Sequence, residues 1–289
     1  MIIGIDIGAS TTKAVALEGL RPAIVSFQNI KATASASIAL DRILGTMGRS
    51  PEDVKIIAVS GGGARSVGKM LLDIPVTKVN EVEAIGMGGL FLSEKKQSLI
   101  VSMGTGTALV AVYEEGKRII HIGGTGVGGG TLQGLSRWML HKHNFEAIEK
   151  MATAGDVKKV DLMVADVAGG PVGIIPSEAT ASNFGRLSDD ANEDDIAAAI
   201  FNMVSQVIGV ITAYAAKAYG LEKDVVLVGG LARSRRITES IRDVADMFHV
   251  NLCIPENSEY CVAIGAAKST FDRTYSENAQ KSSLKRDKK

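Results

Sequence analysis

The residues His121-Ile-Gly-Gly-Thr-Gly-Val-Gly-Gly-Gly-Thr131 set a dense glycine run between an apolar stretch (Ile119, Ile120, Ile122) and a helix-like stretch, Leu132 to Leu140. Glycines at this density let backbone N–H groups approach an anion, because no Cβ stands in the way. A helix opening at the same place adds its partial positive end. The chemistry implied is a phosphate or carboxylate pocket. Two blander readings stand beside it. Gly124, Gly126 and Gly129 satisfy the G-x-G-x-x-G spacing of a dinucleotide fold, but the acids at the required distance, Glu146 and Glu149, fall in a helix-like stretch, Phe145 to Met151. The other is a purely structural glycine turn.

Other residues carry possible chemistry. Asp6 is an acid inside an otherwise apolar strand, Met1 to Ile7, where a carboxylate is costly unless paired or close to a cation. It suits a nucleotide's Mg²⁺ held through water, or else a hydrogen-bonded turn. Lys13, just past Gly8-Ala-Ser-Thr-Thr12, suits phosphate neutralisation or plain solvation. Glu81 and Glu83 open a helix, where acids complement the dipole; one of them also suits a general base taking a proton from an acceptor hydroxyl. Spacing does not choose between them. Val225-Val-Leu-Val-Gly-Gly-Leu-Ala-Arg233 reads as a buried strand whose small residues, Gly229 and Gly230, admit the plane of adenine and ribose. Ala263-Ile-Gly-Ala-Ala267 reads as close packing, beside that site or simply between helices. His121, His141, His143 and His249 have no metal-ligand spacing, and Cys253 and Cys261 form no redox motif.

The elements that must position these residues alternate between strand and helix. Strands are expected at Ile2–Ile7, Thr12–Leu17, Ala23–Phe27, Ile56–Ser60 and Val76–Val79, with helices at Ser37–Met47, Ala64–Leu72 and Ala84–Leu92. The pattern restarts with strands Leu99–Met103, Thr107–Tyr113 and Arg118–Ile122 and a helix at Thr131. A long helix, Asp195–Tyr219, then strand Val225–Val228, a helix near Ile237–Phe248, strand Val250–Ile254 and a helix from Tyr260 complete the reading. Gly4-Ile-Asp-Ile-Gly-Ala-Ser-Thr-Thr12 and Ser102-Met-Gly-Thr-Gly-Thr107 are similar polar turns between strands, a weak internal duplication.

Two such meanders predict an α/β protein of two related domains, with a nucleotide held in the cleft between facing hairpin turns. The expected boundaries are 1–95 and 96–270, the last helix returning to the first domain, followed by a basic, disordered tail at 271–289. Of the 289 residues, 46% are hydrophobic and 22% charged, enough for a substantial core, and the formal net charge is zero. That balance gives no global field favouring nucleic acid or an anionic membrane. Two cysteines fit a reducing compartment, and neither a basic leader nor an apolar run of ~20 residues is evident, so a cytoplasmic location is expected.

Gly4-x-Asp6-x-Gly8 with Thr11, Thr12 and Lys13, then Gly104-Thr-Gly-Thr107, then the strand ending in Gly229-Gly230, resemble the sugar kinase–Hsp70–actin ATPase superfamily from Ile2 to about Ala267. Within it the chain is most similar to type II pantothenate kinases. It shares with them Val101 to Thr107, the run Gly123 to Leu135, Ala154-Gly-Asp with Asp161-Leu162, and Thr180-Ala-Ser-Asn-Phe-Gly185. The resemblance implies two ribonuclease H-like domains and ATP- and Mg²⁺-dependent phosphorylation of the primary hydroxyl of pantothenate in coenzyme A biosynthesis, by a homodimer. It makes Glu81 the catalytic glutamate, Asp6 the Mg-linked acid and Lys13 the phosphate-loop lysine. Gly8, Ser10, Thr11 and Thr12 complete the first phosphate loop; Gly104, Thr105, Gly106 and Thr107 form the second. Gly126, Gly128, Gly129 and Gly130 serve the nucleotide, with Gly229 and Gly230. Thr105, His121 and Gly123, with Glu81, face the acceptor.

One departure matters. The family's arginine before the glycine run is here His121, neutral near pH 7 and a poorer partner for a carboxylate. Arg118, three residues earlier on a strand, turns to the other face. The acceptor is therefore pantothenate held by different polar partners, or another small hydroxyl compound such as a pantetheine-like molecule or a sugar. A non-catalytic nucleotide-binding regulator is a further alternative. The opening motif also resembles ATPase activators of 2-hydroxyacyl-CoA dehydratases, but their cluster cysteines are well separated along the chain, unlike Cys253 and Cys261.

Overall fold

The computed structural model describes residues 1–19, 23–31 and 35–286. Its first sheet has six strands in the order β3-β2-β1-β4-β6-β5: β1 (Ile2–Ile7), β2 (Thr11–Glu18), β3 (Ala23–Lys31), β4 (Ile56–Ser60), β5 (Met70–Leu71) and β6 (Ile74–Lys78). β1 runs antiparallel to β2 and parallel to β4, and β4 runs parallel to β6. Strands covered on both faces read as continuous apolar runs, which is why β1 is almost uniformly hydrophobic apart from Asp6.

Alternation of side chains divides this sheet's faces. Ile3, Ile5, Ala14, Ala16, Ile57 and Val59 pack with Ala39, Leu40 and Ile43 of helix α1 (Ala36–Met47). Ser35 caps α1 by accepting from the Ile38 amide, and Gly48, at φ +62°, ends it. On the other face Ile2, Val15 and Leu17 pack against Ala263, Ile264 and Ala267 of helix α8 (Cys261–Arg286).

Helix α2 (Glu81–Ser93) crosses α8 at backbone-to-backbone range. A Cβ on Gly88 would lie 2.0 Å from the Cys261 carbonyl oxygen, and one on Gly265 would lie 1.8 Å from that of Ala84. The small residues at 263–267 thus serve helix packing, one of the two readings open for that segment.

The second sheet has the order β13-β12-β7-β8-β9, from β7 (Ser98–Met103), β8 (Thr107–Tyr113), β9 (Arg118–Thr125), β12 (Val225–Val228) and β13 (Leu252–Cys253). Around it come α3 (Gly129–Leu140), α4 (Phe145–Ala154), α5 (Val164–Ala168), α6 (Glu193–Tyr219) and α7 (Arg235–Met247), with a small pair β10 (Leu162–Met163) and β11 (Thr180–Ser182). Asn192 and Asp195 form a capping box at the start of α6. α6 is long and apolar enough to cross a membrane by length and composition, although no apolar run of ~20 residues is expected from the sequence. Ala198, Ile200, Phe201, Val204 and Ile208 are nevertheless buried in the protein, as in an ordinary core helix.

The chain divides into two compact units: residues 1–100, 110–121 and 255 onward, and residues 101–109 with 122–254. The division therefore falls inside β7, β8 and β9 rather than at the expected 95/96, and α8 belongs to the first unit.

Several elements differ from expectation. Ala64–Leu72 is not a helix but a 3-10 turn, Gly62–Ser66, followed by β5. Gly68 interrupts the segment, and Leu72 and Asp73, both at positive φ, turn the chain into the β5–β6 hairpin. β3 continues to Lys31 because its partner β2 supplies a full ladder. α8 is helical to Arg286 where a disordered tail was expected from 271; Asp287, Lys288 and Lys289 lie outside the described residues. The pair β10–β11 and helix α5 carry too few residues to show a period.

Candidate functional site

In the first unit, the carboxyl ends of the parallel strands β1, β4 and β6 carry Asp6, Ser60 and the turn leading to Glu81. Ligands of open α/β sheets bind outside such ends. Asp6 stands directly opposite Lys13 across the β1–β2 ladder and in register with Ser60 across the β1–β4 ladder. These three residues share the face that α2 and α8 cover.

The Asp6 carboxylate is buried, and desolvation lifts its pKa to about 6. The Lys13 ammonium opposes that rise and the Glu81 carboxylate adds to it. Both partners are therefore close enough to feel Asp6. The same burial, reinforced by Asp6, pushes the Cys261 thiol far above its ordinary value, and its Sγ donates to the Ile85 carbonyl oxygen at 3.5 Å. Cys261 is thus a buried thiol within the α2–α8 packing.

Among the described residues no group of three His, Cys, Asp or Glu side chains converges to hold a metal. Asp6 belongs to no such group of three, which fits Mg²⁺ carried mainly by phosphate and water.

A pH test follows from Asp6. Its folded-state pKa lies above the unfolded value of 3.8, so the folded protein binds the extra proton between about pH 4 and 6. The stability associated with that proton is full below pH 4 and is lost as pH rises through 6, by on the order of 3 kcal/mol. Asp6→Asn removes the dependence. Denaturant midpoints of the apo protein should show wild type losing stability relative to Asp6→Asn across this window; parallel curves would contradict the assignment.

Glu81 opens α2 and is exposed, while Asn80 caps the helix by accepting from the Val82 amide. Glu83 is paired with Arg273, whose Nη2 lies 2.6 Å from both carboxylate oxygens. Of the two acids, Glu83 is held in an ion pair and Glu81 adjoins Asp6. A Cβ on Gly86 would approach Ile119 at 3.2 Å, and one on Gly116 would meet Met87 at 2.5 Å. α2 therefore runs antiparallel to β9, with its Glu81 end towards His121. His121 is exposed and on the same strand face as Ile119. The Arg118 guanidinium sits over the Tyr113 ring, 5.2 Å from its centroid.

In the second unit the two glycine segments are locked together. The Gly129 amide donates to the Gly104 carbonyl at 2.9 Å and the Gly130 amide to that of Thr105 at 2.8 Å. The Thr107 hydroxyl donates to the Val127 carbonyl, and the Thr131 hydroxyl to that of Gly126. Cβ atoms on Gly124 and Gly128 would fall 2.0 Å and 2.7 Å from the Thr107 and Thr105 carbonyl oxygens. Gly229, at φ +94°, presses against Met103, 2.5 Å from a Cβ to its carbonyl oxygen. Gly104–Thr107, Gly126–Gly130 and Gly229 thus form one backbone assembly, with Gly123 leading into it on β9.

Some residues do not take the role expected of them. The amides of Gly129 and Gly130 are engaged within the protein, so they do not offer themselves to phosphate. Thr12 is wholly buried and shares strand parity with Ala14 and Ala16, on the α1 side of the sheet, away from Asp6. Gly8, whose amide donates to the Thr11 carbonyl, and the exposed Ser10 make up the connecting turn.

Other contacts join residues far apart in the chain. Beyond Gly230, a cavity of about 810 Å³ is lined by Glu149, Lys150, Thr153, Arg233 and Arg236 among others. Glu149 accepts there from Ser234 Oγ at 2.5 Å and from the Arg236 amide at 3.3 Å. Ser234 before an apolar helix is a capping signal, but Glu149, 85 residues away, has no local sign of its partner. Asp161 is buried and accepts from the Phe184 amide, Asn202 Nδ2, Asn183 Nδ2 and Thr180 Oγ1, fixing the shared segment 180–185 against α6. The run Gly61-Gly62-Gly63 follows β4, and Gly61 sits at φ +83° beside Asp6.

Comparison with known proteins agrees with this geometry. The chain is similar to the activator of 2-hydroxyisocaproyl-CoA dehydratase from Clostridium difficile with bound ADPNP (TM-score 0.72, 20% identity, 96% of this chain and 97% of that one). It is also similar to a ROK family glucokinase from Streptomyces griseus in complex with glucose and AMPPNP (TM-score 0.56, 14% identity, 92% and 98%). At such identities these show the fold alone, a two-unit α/β architecture shared with those proteins. Sequence relatives are nearer. A type II pantothenate kinase of Bacillus cereus strain AH820 is 31% identical over 215 residues, 71% of this chain and 74% of the relative. Another, from strain G9842, is 28% identical over 273 residues, 91% and 96%. The Fumble family model matches residues 97–267, which include both locked glycine segments, Asp161 and the Gly229-Gly230 strand end, and the chain belongs to that family.

Proposed function

We propose that this protein is an ATP-dependent kinase that phosphorylates the primary hydroxyl of pantothenate, a step of coenzyme A biosynthesis. The observation that carries the reading is the grouping of Asp6, Lys13 and Glu81 at the ligand-binding end of one sheet, in a chain whose relatives are named type II pantothenate kinases.

Glu81 takes the proton of the acceptor hydroxyl as its oxygen bonds to the γ-phosphorus and the bond to ADP breaks. Lys13 offsets charge on the phosphate oxygens, and the Gly104–Thr107 turn lies along the polyphosphate. Asp6 would hold Mg²⁺ through water, and the ion when bound would supply charge neutralisation at the phosphates. The base and ribose lie beside Gly229-Gly230, at the carboxyl end of β12. Thr105, His121 and Gly123 face the acceptor. A cytoplasmic location without nucleic-acid or membrane partners accords with the zero net charge and the burial of much of α6, and the homodimer is what the family resemblance implies.

His121 favours one second reading, a kinase of a related acceptor lacking the carboxylate. An ATP-consumption assay with pantothenate, pantetheine and several sugars separates the two. Turnover with pantothenate is expected; turnover with pantetheine or a sugar alone would move the activity to that acceptor. His121→Arg should lower KM for pantothenate about tenfold with kcat within about twofold, because a guanidinium fork binds a carboxylate bidentately. An unchanged KM would remove His121 from the carboxylate's surroundings.

A further inference from the structure

Ser60 ends β4 with its side chain fully buried, and its Oγ has no hydrogen-bond partner among the described residues. A hydroxyl shut away from water and left unpaired is unfavourable, so its persistence calls for a partner. Ser60 is in register with Asp6 on the adjacent parallel strand, and the two side chains share a sheet face. The next residue explains how they approach. A Cβ on Gly61 would lie 2.5 Å from Asp6 Oδ1, so the carboxylate leans across onto this glycine, whose φ of +83° also suits a residue without a side chain. Gly63 makes a similar approach to Ile7, 2.3 Å from a Cβ to its Cγ2. The Ser60–Gly63 segment thus follows the end of β1 closely.

We propose that Ser60 is a positioning residue for Asp6: its hydroxyl donates to the ionised carboxylate and holds it turned towards the metal of the bound nucleotide, with Gly61 as the bare wall against which the carboxylate lies. A hydroxyl can rotate its proton to a carboxylate without other movement. Lys13 steadies Asp6 from the β2 side and Ser60 from the β4 side. The assignment rests on the kinase reading, and it makes the Ser60-Gly61 pair part of the nucleotide site.

Mn²⁺ is a suitable probe, with paramagnetic resonance reporting its binding to the full-length protein in the presence of ADP. Ser60→Ala should weaken Mn²⁺ binding in the ADP complex about tenfold, leave metal-free ADP affinity within about twofold, and leave the melting temperature equal or higher. In an Asp6→Asn background the same change should have no further effect on Mn²⁺, because Ser60 acts through Asp6. Ser60→Cys, of similar size but a weaker donor, should fall between. Unchanged Mn²⁺ affinity in Ser60→Ala, or an equal loss of metal-free ADP affinity, would make Ser60 a packing residue only. Absence of metal-dependent ADP binding in the wild type would instead overturn the kinase reading itself, and the role of Ser60 with it.

Discussion

Glu81→Gln is expected to bind ATP within about twofold of wild type and to lose turnover by ~10²–10⁴-fold. The amide keeps the size and the helix-opening position of the side chain but cannot take a proton. Because Glu81 is exposed at the first residue of α2, the substitution disturbs no core contact, and the Asn80 cap is untouched. The effect should therefore fall on kcat rather than on stability. Removing the Glu81 charge also relieves one of the influences that raise the Asp6 pKa, so nucleotide affinity should not suffer on that account. Equilibrium ATP binding and steady-state kinetics on the same preparation check the separation. Turnover within a few-fold of wild type would exclude Glu81 as the base. Glu83→Gln is the matched control: it breaks the Arg273 ion pair and should cost little activity.

The second large effect is expected from Gly124→Ala. The added methyl carbon would start 2.0 Å from the Thr107 carbonyl oxygen and 3.1 Å from Ala108 Cα, and both neighbours are backbone. Neither can swing aside as a side-chain tip would, so β9 and the Gly104–Thr107 turn must separate. Overpacking of this kind costs about 1–3 kcal/mol and sometimes more. The hydrogen bonds from Gly129 to Gly104 and from Gly130 to Thr105 depend on the same close approach. Loss of nucleotide binding by at least about tenfold, together with a lowered melting temperature, is the expected outcome. Gly126→Ala is the contrast, because a Cβ there meets no atom within 4 Å. Calorimetric titration with ATP distinguishes them, and equal behaviour of the two variants would mean that the glycine run is not locked as described.

Much of the site was legible because its chemistry is local. Asp6 stands out as an acid within an apolar strand, and the glycine segments as runs no ordinary strand or helix would tolerate. What was not legible depends on partners distant in sequence. Nothing near Gly129 or Gly130 indicates that their amides meet the Gly104 and Thr105 carbonyls instead of a ligand. Thr12 opens the expected strand Thr12–Leu17 and matches the first phosphate loop, and only the β1–β2 register shows its side chain on the α1 face. Gly61-Gly62-Gly63 lie between the expected strand Ile56–Ser60 and the expected helix at Ala64, and small residues carry no period that would tie them to Asp6. The α/β character followed from alternating patterns. The division between the units did not, since it cuts through three strands that each look continuous along the chain.

The central claim, phosphoryl transfer from ATP to the primary hydroxyl of pantothenate, is tested most directly by the product. Purified protein incubated with ATP, Mg²⁺ and pantothenate should yield one ADP per phosphopantothenate, identified by mass, with phosphorus coupling to the methylene protons of the former primary alcohol in its nuclear magnetic resonance spectrum. ADP formation without phosphorylated pantothenate, or phosphorylation of a different acceptor alone, would contradict the account.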